Sequence, residues 1–555
     1  MSRCMAVMAC AALFGTACGG SGKLGAVRYE NRPVVWRVND RNDVPEKPEE
    51  RTYARVLYHV DGYVVRRLTR AMEVRKSRRA RNVNALDEVP DSTWFTNRIG
   101  VRDLTLDEIR RGPNLEDGPE AHKPWTITGS KVGGTAVGFL MKDARGIKYL
   151  LKFDDKRGPE METAADVIVQ RLLWACGYNV PEDDIVSFSR EDLVLAKDAS
   201  IKDVFGNKAP MSVAHLETGL AKVDKLPDGT YRGLASRYLP GIPIGPYARE
   251  GVRKDDPNDI IPHEDRRELR GAYAIFEWLN HTDLQEDNTL DMWHEDEAAG
   301  RHYVMHYLID FGKALGVMGY LNKWKWPGYT YRLDFSYMIS GLFGLGVWKR
   351  QYEDLSRPEL VGVGLIESEN FEPGKWRPNS FYWPLEDKDR FDAFWGAKII
   401  IRLTEQHIRT AVEQGGLSDS RSVDYLTETL VARQRKTARY WFRQVAPLDR
   451  FEVSERRLCF EDLTARYQLE DVSHTTYDIA GYDYDGRATG WTSTASPGDD
   501  GRVCADGLDP SGAKDGYTIV RVVTRRGKSR LPPTLVHAAR DSEAGQLHVI
   551  GLRRK

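Results

Sequence analysis

The chain is poor in cysteine, with six among 555 residues and none in a Cys-x-x-Cys pair. That excludes a disulfide-dense scaffold and a zinc ribbon. It has no surplus of either charge: 81 Lys and Arg stand against 82 Asp and Glu, a net charge of −1. Nucleic-acid binders usually carry a strong basic excess, so no nucleic-acid partner is expected. Beyond the first twenty residues no apolar run approaches the roughly 18 residues needed to span a bilayer, which excludes a polytopic membrane protein. Metalloprotease His-Glu-x-x-His and the Gly-x-Ser-x-Gly elbow are both missing. Gly527-Lys528-Ser529 is not a P-loop, because Val522 stands where the first glycine must be. What the chain does have is 41% apolar and 29% charged residues, enough to build several cores. Its length fits roughly three to four domains.

The N-terminus reads as an address. One Arg precedes a mostly apolar run that closes on Gly15-Thr16-Ala17, the layout of a secretory signal. Cys18 follows these small residues and resembles the acylated cysteine of a bacterial lipoprotein, although Gly15 stands where that family usually has Leu. Residues 1–18 are therefore expected to be signal and lipidation site, with the glycines at 19, 20, 22 and 25 giving a flexible tether. The localisation expected is export, with anchoring in the bacterial cell envelope through lipid on Cys18. Cys176 falls in an apolar helix and reads as a buried thiol. Cys459 and Cys504 flank one C-terminal segment and can pair in an oxidising compartment.

The remainder divides by texture. Residues 19–121 are tether and a charged, irregular N-terminal extension, whose basic stretch Arg75–Arg81 reads as a solvated helix face. Thr105 reads as a helix N-cap. Residues 122–234 alternate short strands with glycine turns and contain one helix over Glu160–Cys176, opened by Pro159 and closed by Gly177. Residues 235–450 are mainly helical, with expected helices at 264–279, 390–414 and 420–443 and a strand at 302–309. Residues 451–555 return to short alternating runs and hairpin turns, an all-β, sandwich-like domain. The fold class is α+β. His302 and His306 share one face of a strand and read as core-edge residues, and Trp324-Lys325-Trp326-Pro327 reads as packing.

Two short motifs carry chemistry. His281-Thr282-Asp283-Leu284 ends at Asn288, and Asp310-Phe311-Gly312 follows a strand. The first fits the pattern H-x-D-L-x-x-x-N, the second D-F-G. Phosphoryl transfer requires a group that orients a hydroxyl and takes its proton, together with oxygen donors for a metal that neutralises phosphate charge. Asp283 suits the first task, and Asn288 with Asp310 suits the second. Upstream, Lys152 lies in a strand, Glu162 opens the following helix as its expected partner ahead of its rival Glu160, and Gly133-Gly134 lie in a turn able to offer backbone N–H groups to phosphates.

In this order the motifs resemble the protein-kinase-like superfamily, most closely its atypical branch of HipA-type kinases, type II phosphatidylinositol 4-kinases and secretory-pathway kinases. The resemblance covers about residues 122–315. It implies a bilobal fold, with 122–234 as N-lobe and 235–450 as C-lobe. It implies ATP with Mg²⁺ (or Mn²⁺) as cofactors, and a nucleotide pocket of Gly133, Gly134, Lys152, Ser236 and Tyr238. The catalytic set is Asp283, Lys152 and Glu162; Asn288 and Asp310 hold the metal. His281 is read as a scaffold for the loop. Thr282 replaces the Arg that anchors a phosphorylated activation loop, and no Ala-Pro-Glu follows, so no activation-loop phosphoswitch is expected. The acceptor is a protein, a lipid or a small molecule. The alternative is a pseudokinase-like lipoprotein that uses the same fold as a nucleotide-binding or purely structural scaffold.

Overall fold

The computed structural model describes residues 23–52, 58, 60–72, 78–131, 137–202, 207–321, 326–344, 347, 350–379, 381–454, 456–510, 514–541 and 545–555. Residues 1–22 with Cys18, Gly133 and Gly134, Arg75, Lys76, Trp324 and Lys325 lie outside them. The chain is a mixed α+β protein.

The first sheet joins β1 (Trp125–Ser130), β2 (Gly138–Lys142), β3 (Lys148–Lys152), β4 (Asp183–Phe188), β5 (Leu193–Lys202), β6 (Lys208–Pro210) and β7 (Tyr231–Arg237) in the order β4-β7-β3-β2-β1-β5-β6. All neighbours are antiparallel except β1 and β5. Strand alternation decides what each face carries. In β3, Tyr149 and Leu151 are buried in a core with Trp125, Phe139, Met141 and Phe188. Helix Val213–Leu220 seals that core with Leu216 and Leu220. Leu150 and Lys152 point to the opposite face, which meets α1 (Met161–Cys176). Met161, Ala164, Ala165, Ile168 and Leu172 form the apolar stripe of α1, as their helical spacing requires. The helix ends at Gly177, where φ is +120° and any Cβ would lie 2.3 Å from the Phe95 ring. Only glycine fits there.

A second set of elements surrounds α2 (Arg267–Leu279), all thirteen residues of which are buried. Such a helix needs partners for its charges. Arg267 and Arg270 meet the Asp392 carboxylate at 3.1 and 2.7 Å, and Glu277 accepts from the Trp441 indole at 2.6 Å. These partners come from α3 (Arg390–Ile400) and α4 (Ser420–Arg443). Helix Glu405–Glu413, where the sequence pattern extends α3, is separate: Thr404 caps its start. After α2 come β8 (Thr289–Asp296) and β9 (Arg301–Leu308), an antiparallel pair extended by Ile242–Pro243.

From residue 448 the chain is mostly strands. A three-stranded sheet (Leu448–Ser454, Arg457–Asp462, Arg502–Asp506) faces a six-stranded one whose central strands are β10 (Thr475–Tyr482), β11 (Thr518–Arg526) and β12 (Thr534–Arg540). Leu448, Leu458 and Phe460 of the first share one core with Ile479, Val520, Val522 and Val536 of the second. Cys459 and Cys504 sit opposite each other on adjacent strands and are disulfide-bonded. Cys176 is buried and unbonded.

The glycine-rich tether ends earlier than the sequence suggests. Leu24 N–H already donates to the Gly486 carbonyl at 2.8 Å, and Tyr29 O–H to the Leu552 carbonyl at 2.9 Å. Further along the extension, Trp94 stacks on His306 at 3.6 Å between ring centres, and Arg51 pairs with Glu286 at 2.6 Å. Thr105 does cap Leu106–Arg111, in a reciprocal pair with Glu108.

Candidate active site

Lys152 leaves the end of β3 toward α1, and its side chain is 15% exposed. Its ammonium is 3.1 Å from an Asp166 oxygen and 3.1 Å from an Asp310 oxygen. Burial opposes the charge, but Asp166 and then Asp310 outweigh it and hold the lysine well above its ordinary range. Asp166 is driven up by burial, although Lys152 beside it favours the charged form. Asp310 is held low, first by Lys152. Half of the Asp310 side chain remains exposed. The carboxylate is thus held from inside by Lys152 and opens outward.

Glu162 does not pair with Lys152. Its carboxylate takes the Lys313 ammonium, directly after the Asp310-Phe311-Gly312 motif. The rival Glu160 accepts from Ser418 N–H at 2.9 Å and is also elsewhere. The partner is Asp166, one helical turn beyond Glu162 on the same face. Depth along the helix decides between them: the first turn of α1 lies over Lys313, the second over Lys152. Asp166 does a second job. Its other oxygen accepts the Phe311 N–H at 2.9 Å, so one buried carboxylate fixes both Lys152 and the Asp310 loop. A signal for it was present in the sequence, as a lone acid within the otherwise apolar run Ala-Ala-Asp-Val-Ile-Val.

The Asp283 loop follows from the end of α2. Asn280 closes that helix in the left-handed region, with φ +47°, and turns the chain. His281 is buried, packed edge-on against Phe276 and Phe311 with ring centres 5.1 and 5.8 Å away. Burial pulls its pKa down to about 4. It is a neutral packing residue that couples the loop to the Asp310 motif. Thr282 is buried as well, and its carbonyl accepts Asn379 N–H at 2.7 Å. Asn288 reaches back to donate its amide to the Asp283 carbonyl, which closes the loop. That bond uses the Asn288 nitrogen and leaves its side-chain oxygen as an acceptor. The Asn288 carbonyl accepts Ile309 N–H at 3.0 Å, so the residue before Asp310 is tied to the same loop. Asp310 itself has φ +63°, a left-handed conformation held by these neighbours. Asp283 is half-buried and accepts weakly from Gln285 and Asn379 at 3.4 and 3.5 Å.

Ser236 lies near the end of β7 and Tyr238 directly after it. Ser236 is paired across the sheet with Leu150 and Asp183, on the face that carries Lys152. Tyr238 is 47% exposed at the rim. Asp183 was not anticipated: burial first, and Asp166 second, push it up to about 7. Lys131, at the end of β1, is a further unanticipated residue. Burial and the nearby Lys152 lower its pKa, and the fields of Asp310 and Asp166 reach it. Lys313 completes this set, drawn down to about 8 mainly by burial. Lys152 and Lys131 therefore share the fields of Asp310 and Asp166, while Lys313 sits beside them on Glu162.

A cavity of about 920 Å³ is lined by Asn280, Tyr329, Tyr331, Trp376 and Arg433. Lys152, Asp166, Asp283 and Asp310 are not among its walls. Among the described residues no group of three or more His, Cys, Asp and Glu is arranged to hold a metal. A site of one carboxylate and one amide oxygen is too sparse to form such a group, yet it suits a hard cation that keeps most of its waters. No family model, curated protein or solved structure matches the chain.

Proposed function

We propose that this chain is a metal-dependent ATP phosphotransferase with a bilobal kinase-like body, exported and tethered to the cell envelope through lipid on Cys18. One observation carries the reading. Lys152, Asp166 and Asp310 form a single cluster, and the Asp283–Asn288 loop is hydrogen-bonded to the residue before Asp310. The topology supports it. One helix connects β3 to β4 in a sheet ordered β4-β7-β3-β2-β1, and the Asp283 loop lies between a buried helix and a hairpin that leads to Asp310.

In this reading the roles divide by position. Lys152, kept charged by Asp166, contacts nucleotide phosphate. Lys131 and Lys313 add positive charge nearby. Ser236 and Tyr238 border the base. Asn288 and Asp310 would hold Mg²⁺ or Mn²⁺, which supplies neutralisation of phosphate charge when bound. Asp283 accepts the proton of the acceptor hydroxyl as it attacks, and its half-buried setting leaves it reachable. His281 stays neutral and takes no proton. The acceptor is a protein, lipid or small molecule.

The test is thermal unfolding with and without ATP and Mg²⁺ or Mn²⁺. A ligand that binds only the folded state stabilises it by about 2.7 kcal/mol at a hundredfold excess over Kd. The expected outcome is a metal-dependent rise that Asp310→Ala abolishes and Asp283→Ala retains. The absence of a rise with any nucleotide overturns the reading and leaves the scaffold alternative.

A further inference from the structure

We propose that the cavity lined by Asn280, Tyr329, Tyr331, Trp376 and Arg433 takes a neutral oligosaccharide, whose end unit presents its hydroxyls to Asp283 and Asn379 and is the phosphoryl acceptor. The proposal names the acceptor of the phosphotransferase reading and rests on that reading. Chain connection keeps the cavity close to the Asp283 loop. Asn280 belongs to its wall and precedes Asp283 by three residues, so their Cα atoms are at most about 11 Å apart. Trp376 and Arg377 belong to the wall as well, and Asn379 follows them. The Asn379 N–H donates to the Thr282 carbonyl at 2.7 Å, and the Asn379 side-chain amide to an Asp283 oxygen at 3.5 Å. The Trp376 indole N–H donates to the Asn280 side-chain oxygen at 3.0 Å, which joins the two segments.

The chemistry of the walls points to the occupant. Among the described residues seven aromatic side chains line the cavity against three aliphatic ones, Leu355, Leu365 and Ile366. A lipid tail calls for the reverse. Five Lys and Arg stand beside four Asp and Glu, and they are paired. Arg377 meets Asp334, Lys375 meets Glu372 at 2.5 Å, and the Tyr331 hydroxyl donates to Glu386 at 2.9 Å. Arg433 donates to the carbonyls of Trp278 and Glu367, each at 2.8 Å. Such a balance suits a neutral ligand. A sugar ring offers C–H groups on its faces and hydroxyls at its rim; aromatic faces take the first, and carboxylate, amide and guanidinium groups the second. A volume of about 920 Å³ suits several linked units rather than one. Asn379 separates a sugar from a peptide. It is 8% exposed, and its Oδ1 has no hydrogen-bond partner among the described residues. A buried acceptor without a donor is costly. The other end of the same amide is on Asp283, so this oxygen lies beside the proposed base. A second hydroxyl next to the attacking one supplies the missing donor. Neighbouring hydroxyls are the rule on a sugar, whereas a Ser, Thr or Tyr side chain carries one.

In the step, the sugar hydroxyl oxygen bonds to the γ-phosphorus of ATP, and the bond from that phosphorus to the bridging oxygen breaks. ADP leaves, the hydroxyl proton passes to Asp283, and the product is a sugar phosphate ester. The experiment titrates the full chain with maltotriose, cellotriose and tri-N-acetylchitotriose by calorimetry without nucleotide. It then follows transfer from γ-labelled ATP with Mg²⁺ to whichever binds. At least one is expected to bind and to accept phosphate. Trp376→Ala should weaken that binding about tenfold and keep the thermal shift with ATP and Mg²⁺. Glu386→Ala, at a half-buried position on the wall, should weaken it in the same direction and serves if Trp376→Ala fails to fold. Asn379→Leu should lower transfer to the saccharide about tenfold with the nucleotide shift retained. If none of the three saccharides binds while ATP and Mg²⁺ still raise the unfolding midpoint, the carbohydrate proposal falls and the phosphotransferase reading stands. Saccharide binding with no nucleotide shift sinks that reading and the acceptor role together. Transfer to casein but to no saccharide overturns the proposal in favour of a protein acceptor. Saccharide binding that both wall variants leave unchanged overturns it as well.

Discussion

Two sheets of this protein obey the same alternation rule and end up with opposite contents. The six-stranded C-terminal sheet is closed by apolar side chains: Ile519, Val520, Val522, Leu535 and Val536 are all fully buried. The seven-stranded sheet is apolar on the face covered by helix Val213–Leu220, but its other face carries Lys152, Ser236 and Asp183 against Asp166 of α1. Buried charges of this kind lose hydration, which only paired geometry can offset. A hydrophobic face would be simpler to stabilise. The charged face is the one on which the proposed function depends, whereas the C-terminal sheet is held by apolar packing.

That contrast can be broken at several points. The largest effect is expected at Asp283: Asp283→Ala should lower phosphoryl transfer by about 10²–10⁴-fold while the nucleotide-induced thermal shift persists, measured by transfer assay beside thermal unfolding. Next is the choice between carboxylates. Asp166→Ala should destabilise the fold by about 3 kcal/mol or more and remove the nucleotide shift, because it leaves Lys152 with Asp310 alone and releases Phe311 N–H. Glu162→Ala should do neither. If chemical denaturation ranks the two variants the other way, Asp166 is not the organising residue. In the C-terminal sheet, Leu535→Ala should cost about 2–5 kcal/mol through its cavity yet leave the nucleotide shift intact.

The smallest effect is shared by the two regions. His281 beside the site and His537 in the C-terminal sheet are both drawn down by burial to about 4. Below the ordinary histidine range near 6.5 the unfolded chain takes up protons that these folded histidines refuse, so stability falls as pH drops from about 6.5 toward 4. Each should account for about 2 kcal/mol lost by pH 5. Urea titrations at pH 7 and pH 5 should show this slope reduced in His281→Asn and again in His537→Asn.

The strands, α1 and the C-terminal β texture were legible because alternation and helical periodicity are local. Pro159 and Gly177 bracket α1 for the same reason, and His281, read as a scaffold residue, is indeed packed between Phe276 and Phe311. The N-terminal region shows what local patterns leave out. The glycines at 19, 20, 22 and 25 suggested a flexible tether, and only the docking of Leu24 on Gly486 shortens it. The extension is largely irregular, as its sequence suggests, and its order comes from distant partners, such as Trp94 on His306.

By itself the sequence determined the succession of elements and the motifs Asp283–Asn288 and Asp310–Gly312, since turn chemistry and periodicity act over a few residues. Only the tertiary structure decided that Asp166 rather than Glu162 meets Lys152, that Glu162 takes Lys313 instead, that Lys131 lies in the field of Asp310 and Asp166, and that helix Phe335–Phe343 lies uncovered. Helical spacing places Glu162 and Asp166 on one face, but which of them meets Lys152 depends on how far along α1 the sheet crosses it. That crossing is set by packing between residues far apart in the chain.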